Sequence, residues 1–391
     1  MSQLSIYLPP FTGDYSGVCS ALFDLNCVVI INDASCCTRN YVSYDEPRWT
    51  EARKSTFCSE LRTMDAVMGN DEKVVKQTVE AAQKIKPDFV VMLGSPVPAI
   101  IGTDMTALAR EIEARSGCPT LGFGTTGFSY YNKGISAATL ALLERFTDRN
   151  LKTTADSVNI LGLTPLDFSA NDNHLIFKQF LEKSGLRVNG SFFMQTDLEQ
   201  VRCAAAAAVN LVVSQSGYAT ARYLEEQYAM PYVVATPIGQ QFSREISQTI
   251  KQTLQDKKSR IINGNRPRET SPSLLIVGDQ VIANSLRAAI QRIHKSANIT
   301  IASFFEIQPE LSLPGDIFLK NERHLVELLR SGKYDSLLAD TLITKLLAAA
   351  SLKCHSLPHP AVSSYLYWDK VPLFIGDEME TLLQSCANES G

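Results

Sequence analysis

Short apolar, β-branched runs that recur between amphipathic stretches narrow the folds open to this chain more than any other feature. Residues 28–31 (VVII) and 89–93 (FVVML) show no polar alternation, as a strand buried on both faces requires. Asn32, Asp33 and Ser35 follow the first run, and Gly94, Ser95 and Pro96 follow the second. These residue types supply the turn chemistry that stops a strand. Val75, Val79, Ala82 and Ile85 keep helical spacing over 71–86, and a shorter amphipathic helix is expected over 16–25. Met105, Leu108, Ala109 and Ile112 mark another helix, with Thr103 as its expected N-cap and Gly117 as its stop. Residues 119–123 form a third strand. Strand, helix, strand, helix, strand is the rhythm of a parallel sheet.

The rhythm restarts twice. Residues 158–161, 210–213 and 232–235 are short strands separated by helical stretches, the alanine run 204–208 among them. The polar stretch 256–273 marks a boundary, and residues 274–277, 299–303 and 336–339 make a third unit. The expected architecture is therefore α/β with parallel sheets, in three Rossmann-like units. The first spans 1–150 and carries the cysteine turn, the second spans 151–265, and the third, with the C-terminal segment, spans 266–391. Ligands of open α/β sheets bind beyond the carboxyl ends of the strands. In the first unit those ends carry Cys36, Cys37, Ser95 and the glycine-rich loop 122–134 (GFGTTGFSYYNKG).

Composition excludes several classes. A net charge of −4 with no basic stripe argues against nucleic acid. No run approaches the roughly 18–20 apolar residues that span a bilayer. The opening MSQLSIYLPPFTG lacks a signal peptide's basic and apolar regions, so a cytoplasmic location is expected. Nine cysteines, five of them before residue 60, do not read as the disulfide framework of a short secreted chain. No paired CxxC supports a zinc ribbon, and a bridge between adjacent Cys36 and Cys37 would be strained. Metal or redox chemistry and simple burial remain, with Cys27, Cys118, Cys203 and Cys386 read as plain packing.

Several segments, in order, resemble the nitrogenase component 1 family, which includes the nitrogenase subunits, their cofactor scaffolds and the dark-operative protochlorophyllide reductase. VVIINDASCCTRNY is similar to its second cluster-cysteine turn, and FCSELRTMDAVMGNDEKV to the segment that follows. LGSPVPAIIGTDMTALAREI resembles the stretch around its third cluster cysteine, and GFGTTGFSYYNKG its Gly-Phe loop. NLVVSQSGYATARYLEEQYAMPYV, VGDQVIANSL and DSLLADTL resemble pieces of its later domains. The resemblance implies three Rossmann-like domains around a central cleft and a dimer with a [4Fe–4S]-type cluster at the subunit interface. It also implies electrons delivered by a separate ATP-hydrolysing iron protein. The chain departs from the pattern at Pro10 and Phe11, where the family has its first cluster cysteine, and at Ser95, where it has the third. Val213 and Ser214 fall where dinitrogen-reducing subunits carry a cofactor cysteine, and no cofactor histidine is matched. A dinitrogen reductase is therefore not expected.

A [4Fe–4S] cluster takes four thiolates. If each chain contributes Cys37 and Cys58 as metal ligands, a symmetric dimer supplies four. Cys19 and Cys36 are reserves, and Ser95 would donate an oxygen or leave a position open. The expected function is a component 1-like oxidoreductase subunit, as a homodimer or beside a sister subunit, reducing a small molecule or tetrapyrrole. The alternative is a non-catalytic scaffold or binding protein for a metallocofactor or small ligand.

Other candidates are weaker. The chain lacks a GxGxxG fingerprint for NAD and a P-loop for ATP, so ATP belongs on the partner. Gly278–Asp279 opens a helix whose N-terminus could receive an anion. Cys354, His355 and His359 offer sulfur and nitrogen ligands, but Pro358 and Pro360 make a rigid connector the simpler reading. Tyr130 and Tyr131 either cover a flat ligand or simply pack.

Overall fold

Each of the predicted apolar runs is a strand of a wholly parallel sheet in the computed structural model, which describes residues 6–50, 54–69, 71–266, 273–348 and 351–389. The first residues of the N-terminal reading and residues 267–272 of the predicted boundary lie outside the described residues. In the first sheet, β1 (Cys27–Ile31), β2 (Thr56–Cys58), β3 (Phe89–Leu93) and β4 (Thr120–Phe123) stand in the order β2-β1-β3-β4. The second holds β5 (Ser157–Leu161), β6 (Arg187–Phe192), β7 (Val209–Val212), β8 (Tyr232–Val234) and β9 (Arg260–Ile261), ordered β6-β5-β7-β8-β9. In the third, β10 (Ser273–Val277), β11 (Asn298–Ser303), β12 (Ile317–Phe318), β13 (Ser336–Ala339) and β14 (Lys353–Ser356) take the order β12-β11-β10-β13-β14. Strand order reverses between β1 and β3, β5 and β7, and β10 and β13. Those reversals are the switch points where doubly wound sheets open a crevice.

The chain forms two compact units, one of residues 12–147 and 195–202 with the first sheet, the other holding the second and third sheets. In the first unit, Val28, Ile30, Val90 and Met92 pack on Val74, Val75 and Ala82 of helix Asp71–Ile85 and on Met105, Leu108 and Ile112 of helix Met105–Ser116. Burial of each such side chain stabilises by about 1.5–3 kcal/mol. Helices Asp14–Leu22 and Tyr131–Phe146 meet backbone to backbone. A Cβ on Gly17 would sit 2.1 Å from the Tyr131 carbonyl oxygen, and one on Gly134 would sit 1.9 Å from that of Asp14. In the other unit, one core joins Val158, Ile160 and Leu211 of the second sheet to Leu274, Ile276 and Ile299 of the third, with Leu286 and Ile290 from helix Gln280–Ile293.

Differences from the sequence reading have local causes. Asp104, not Thr103, caps its helix, because its carboxylate accepts from the amides of Thr106 and Ala107. The alanine run forms only a 3-10 turn, Ala204–Ala206, before the chain enters β7. The KCHS stretch, read as a connector, is edge strand β14, paired in parallel with β13. Strands β2, β9, β12 and β14 are short and only partly buried, so they lack the apolar run that betrays an inner strand.

Candidate functional site

In-register pairing brings the exits of the first sheet to one level. Ile31 lies opposite both Cys58 and Leu93, and Leu93 lies opposite Phe123. Two residues beyond Ile31 is Asp33, and two residues beyond Leu93 is Ser95. The buried Asp33 organises the edge. Its Oδ2 accepts from the amides of Ser35 and Thr38, each at 3.0 Å, which sets the short helix Cys36–Asn40 against the strand end. Ser35 reaches this turn with φ +101°. The Asp33 Oδ1 accepts from the Ser95 hydroxyl at 3.5 Å, and its carbonyl accepts from the Cys58 thiol at 3.1 Å. Ser59 completes the lacing: it accepts from the Asp33 amide at 3.1 Å and donates to Asn32 Oδ1 at 2.7 Å.

Cys37, Cys58 and Ser95 thus converge on one aspartate. Cys37 and Cys58 are half-buried, Cys36 is exposed and Ser95 is buried. Cys19 sits elsewhere, buried within helix Asp14–Leu22. Its thiol is pushed well up by burial and by neighbouring Cys27, so it behaves as core. Burial, followed by the Asp33 charge, pushes the Cys37 thiol up to about 11. A thiolate at Cys37 therefore needs a positive centre beside it. Tyr15 lies behind Cys37, its hydroxyl accepting from Asn40 Nδ2 at 3.3 Å. Asn40 also donates to the buried Asp45 at 2.7 Å. Sequence reasoning missed both Tyr15 and Asp45, and treated Asp33 only as a turn former. The aspartate's position at a strand exit was the available signal.

The donor chemistry at this edge, two half-buried thiols and a buried hydroxyl, suits part of an iron–sulfur cluster's ligand shell. Among the described residues no group of three or more His, Cys, Asp or Glu side chains is placed to hold a metal ion. Cys37 and Cys58 are two of the four thiols that such a cluster takes.

A cavity of about 300 Å³ opens beside the edge, lined by Asn32, Ser59, Asp65, Lys73 and Thr103 among others. The neighbouring helices Thr63–Met68 and Pro96–Ile101 expose Val67, Met68 and Ile100, the last two at 75%.

Three of the remaining sequence candidates resolve differently. Asp279 fills its helix N-terminus with its own carboxylate, accepting from the Val281 and Ile282 amides, so no anion site is left there. Cys354 is exposed, His355 meets Ser385, and His359 turns inward to Asp167, so the three do not converge on a metal. Tyr131 is fully buried against the helix pair and packs instead of covering a ligand. Phe11, which with Pro10 stands where the resemblance puts the family's first cysteine, stacks edge-on against Phe304 with ring centres 5.3 Å apart. Among the described residues no helix is long and apolar enough to cross a membrane.

Comparison with known proteins gives the same direction. The nitrogenase iron-molybdenum cofactor biosynthesis protein NifE of Rhodobacter capsulatus is 31% identical over 192 residues, covering 47% of this chain and 39% of that protein. A light-independent protochlorophyllide reductase chain of Synechococcus sp. (strain JA-3-3Ab) is 26% identical over 206 residues, with the same two coverages, 47% and 39%. The match thus spans 39% of the length of each of these curated relatives. A solved structure of nitrogenase Cp1 at pH 6.5 superimposes with a TM-score of 0.71 over 99% of this chain and 94% of that one. At 12% identity that likeness shows the fold alone. The family described as "Nitrogenase component 1 type Oxidoreductase" matches residues 14–290. With that match across most of its length and three parallel sheets in the corresponding fold, the chain belongs to the nitrogenase component 1 type oxidoreductases.

Proposed function

We propose that this chain is an electron-accepting subunit of a two-component reductase. Cys37 and Cys58 would hold a [4Fe–4S]-type cluster with the same residues of a second chain, or with those of a sister subunit. Cys36 is the nearest reserve thiol, and Ser95 would supply an oxygen. The domains would be those expected at 1–150, 151–265 and 266–391. A separate ATP-hydrolysing iron protein would deliver electrons, with ATP bound on that partner and no NAD involved. The substrate class is a small unsaturated molecule or a tetrapyrrole, not dinitrogen. The observation that carries the reading is the meeting of Cys37, Cys58 and Ser95 around Asp33 at the exits of β1, β2 and β3. Exposed Val67, Met68 and Ile100 beside that edge support association there.

When bound, the cluster would store and pass on electrons. The chain's own residues do the rest: Asp33 positions both thiol-bearing segments, Cys37 is held half-buried beside it, and the Ser95 hydroxyl is held at the edge. The test is anaerobic reconstitution of the full chain with iron and sulfide. Brown protein with about four irons per dimer is expected, and Cys37→Ser or Cys58→Ser should lose most of that iron. Colourless protein after reconstitution would overturn the reading.

A second reading is a scaffold that binds a metallocofactor without turnover. Its support is the incomplete donor set of one chain and the relative named for cofactor biosynthesis. ATP-dependent reduction with an iron protein would exclude it.

A further inference from the structure

The cavity of about 300 Å³ beside the thiol edge is lined from separate elements of the first-sheet unit. Asn32 comes from the exit of β1 and Ser59 from the exit of β2. Asp65 belongs to helix Thr63–Met68, Lys73 to the first turn of helix Asp71–Ile85, and Thr103 follows helix Pro96–Ile101. Apolar side chains such as Val74 and Ile101 complete the wall.

The bonds these side chains already make fix what they have left to offer. Asn32 is only 3% exposed, and its Oδ1 accepts from the Ser59 hydroxyl at 2.7 Å. Its backbone amide donates to the Leu93 carbonyl at 2.8 Å. Its Nδ2 has no acceptor among the described residues, so a buried amide lines the cavity with its N–H groups unused. Leaving a buried donor without a partner is costly. Lys73 Nζ donates to Asp65 Oδ2 at 3.1 Å, one of the three bonds an ammonium can make. The Thr103 amide donates to the Pro98 carbonyl at 3.0 Å, and its hydroxyl has no partner among the described residues. The acceptors, by contrast, are committed or solvated. Asp65 takes the Arg62 amide at 3.1 Å besides Lys73, Ser59 Oγ takes the Asp33 amide at 3.1 Å, and Asp71 is exposed at the start of its helix.

Three donors from separate elements therefore line one space, and a ligand that satisfies them presents an oxygen acceptor. Lys73 is already paired with Asp65, and Asp71 adds a negative charge at the rim, so a neutral carbonyl is favoured over a carboxylate. Size narrows the choice further. Ligand pockets run from roughly 300 to 1,000 Å³, and this one lies at the small end, which suits a compact molecule and not a tetrapyrrole. We propose that this cavity receives the substrate, a small neutral carbonyl compound whose oxygen accepts from Asn32 Nδ2, with Lys73 and Thr103 as the further donors. Ser59 ties the site to the thiol edge, since it accepts from the Asp33 amide and donates to Asn32. That the ligand is the substrate rests on the reductase reading; that it binds here does not.

Crotonamide, a small unsaturated amide, is the probe. Its dissociation constant is read by saturation-transfer NMR on the full chain, both iron-free and reconstituted. Saturable binding is expected in both, with crotonate held more weakly than crotonamide. Asn32→Asp exchanges a donor for an acceptor and should weaken crotonamide about tenfold. Thr103→Val should weaken it about threefold, and it carries the test if Asn32→Asp does not fold. Lys84→Met, exposed farther along the same helix as Lys73, should change nothing. Absent or unsaturable binding, an affinity untouched by both Asn32→Asp and Thr103→Val, or crotonate held more tightly than crotonamide would each overturn the proposal. Brown, iron-loaded protein that ignores crotonamide removes this inference and leaves the cluster reading standing. Colourless protein that binds crotonamide through Asn32 does the reverse.

Discussion

One aspartate, Asp33, does at the scale of single residues what the cysteine pattern alone could not do. Both thiol segments hang from it, through the Ser35 and Thr38 amides on one side and the Cys58 thiol on the other. Asp33→Asn places an amide NH2 where a carboxylate oxygen accepts two backbone bonds. A loss of about 1–2 kcal/mol in denaturant titrations is expected, together with lower iron retention after reconstitution. Asp45 offers a second test, through pH. Burial lifts it to about 6 from an ordinary 3.8, although Ser16, Thr12 and Asn40 bond to it. Its raised value means that its share of stability is complete below about pH 4 and is lost as pH rises through about 6. The ionisation penalty is on the order of 2–3 kcal/mol. Asp45→Asn should flatten the pH dependence of the urea midpoint between pH 5 and about 8, and an unchanged slope would count against the assignment. The sequence marked Cys37 and Cys58 because thiols after strand exits are conspicuous. Tyr15 and Asp45 were not legible, because their importance comes only from which side chains they meet.

Among the elements, the inner strands were readable, and of the edge strands only β4 was. β1, β3, β5, β7, β10, β11 and β13 are buried throughout and so read as apolar runs. β14 carries Lys353, Cys354 and His355 half in solvent, and its sequence is indistinguishable from a loop. The helix pair Asp14–Leu22 and Tyr131–Phe146 gives the clearest mutational test at this scale. Gly17→Ala and Gly134→Ala each drive a methyl into a carbonyl at about 2 Å. Each should cost at least 1–3 kcal/mol, seen as a lower Tm. Gly102 has φ +79° but open space around it, so Gly102→Ala should cost only about 1 kcal/mol through backbone strain. Equal losses at all three sites would contradict the close approach of the two helices.

For the whole molecule, association is the property on which the proposed chemistry depends. Met68 and Ile100 are each 75% exposed beside the thiol edge. Met68→Lys with Ile100→Lys should leave the monomer's stability within about 0.5 kcal/mol, since neither side chain is buried. The same pair should shift sedimentation toward the monomer and reduce iron per chain. A dimer that survives both changes would place the interface elsewhere. The sequence by itself determined the three parallel sheets, because strands covered on both faces must be written as uninterrupted apolar runs, and it also determined the family. Only the tertiary structure decided that Cys58 and Ser95 reach the same aspartate, that Cys19 is core, and that His359 faces Asp167 and not a metal. The physical reason is that periodicity encodes which face of an element is buried. Convergence of polar groups depends on strand register and on the order in which distant strands pair, and no local pattern of residues records either.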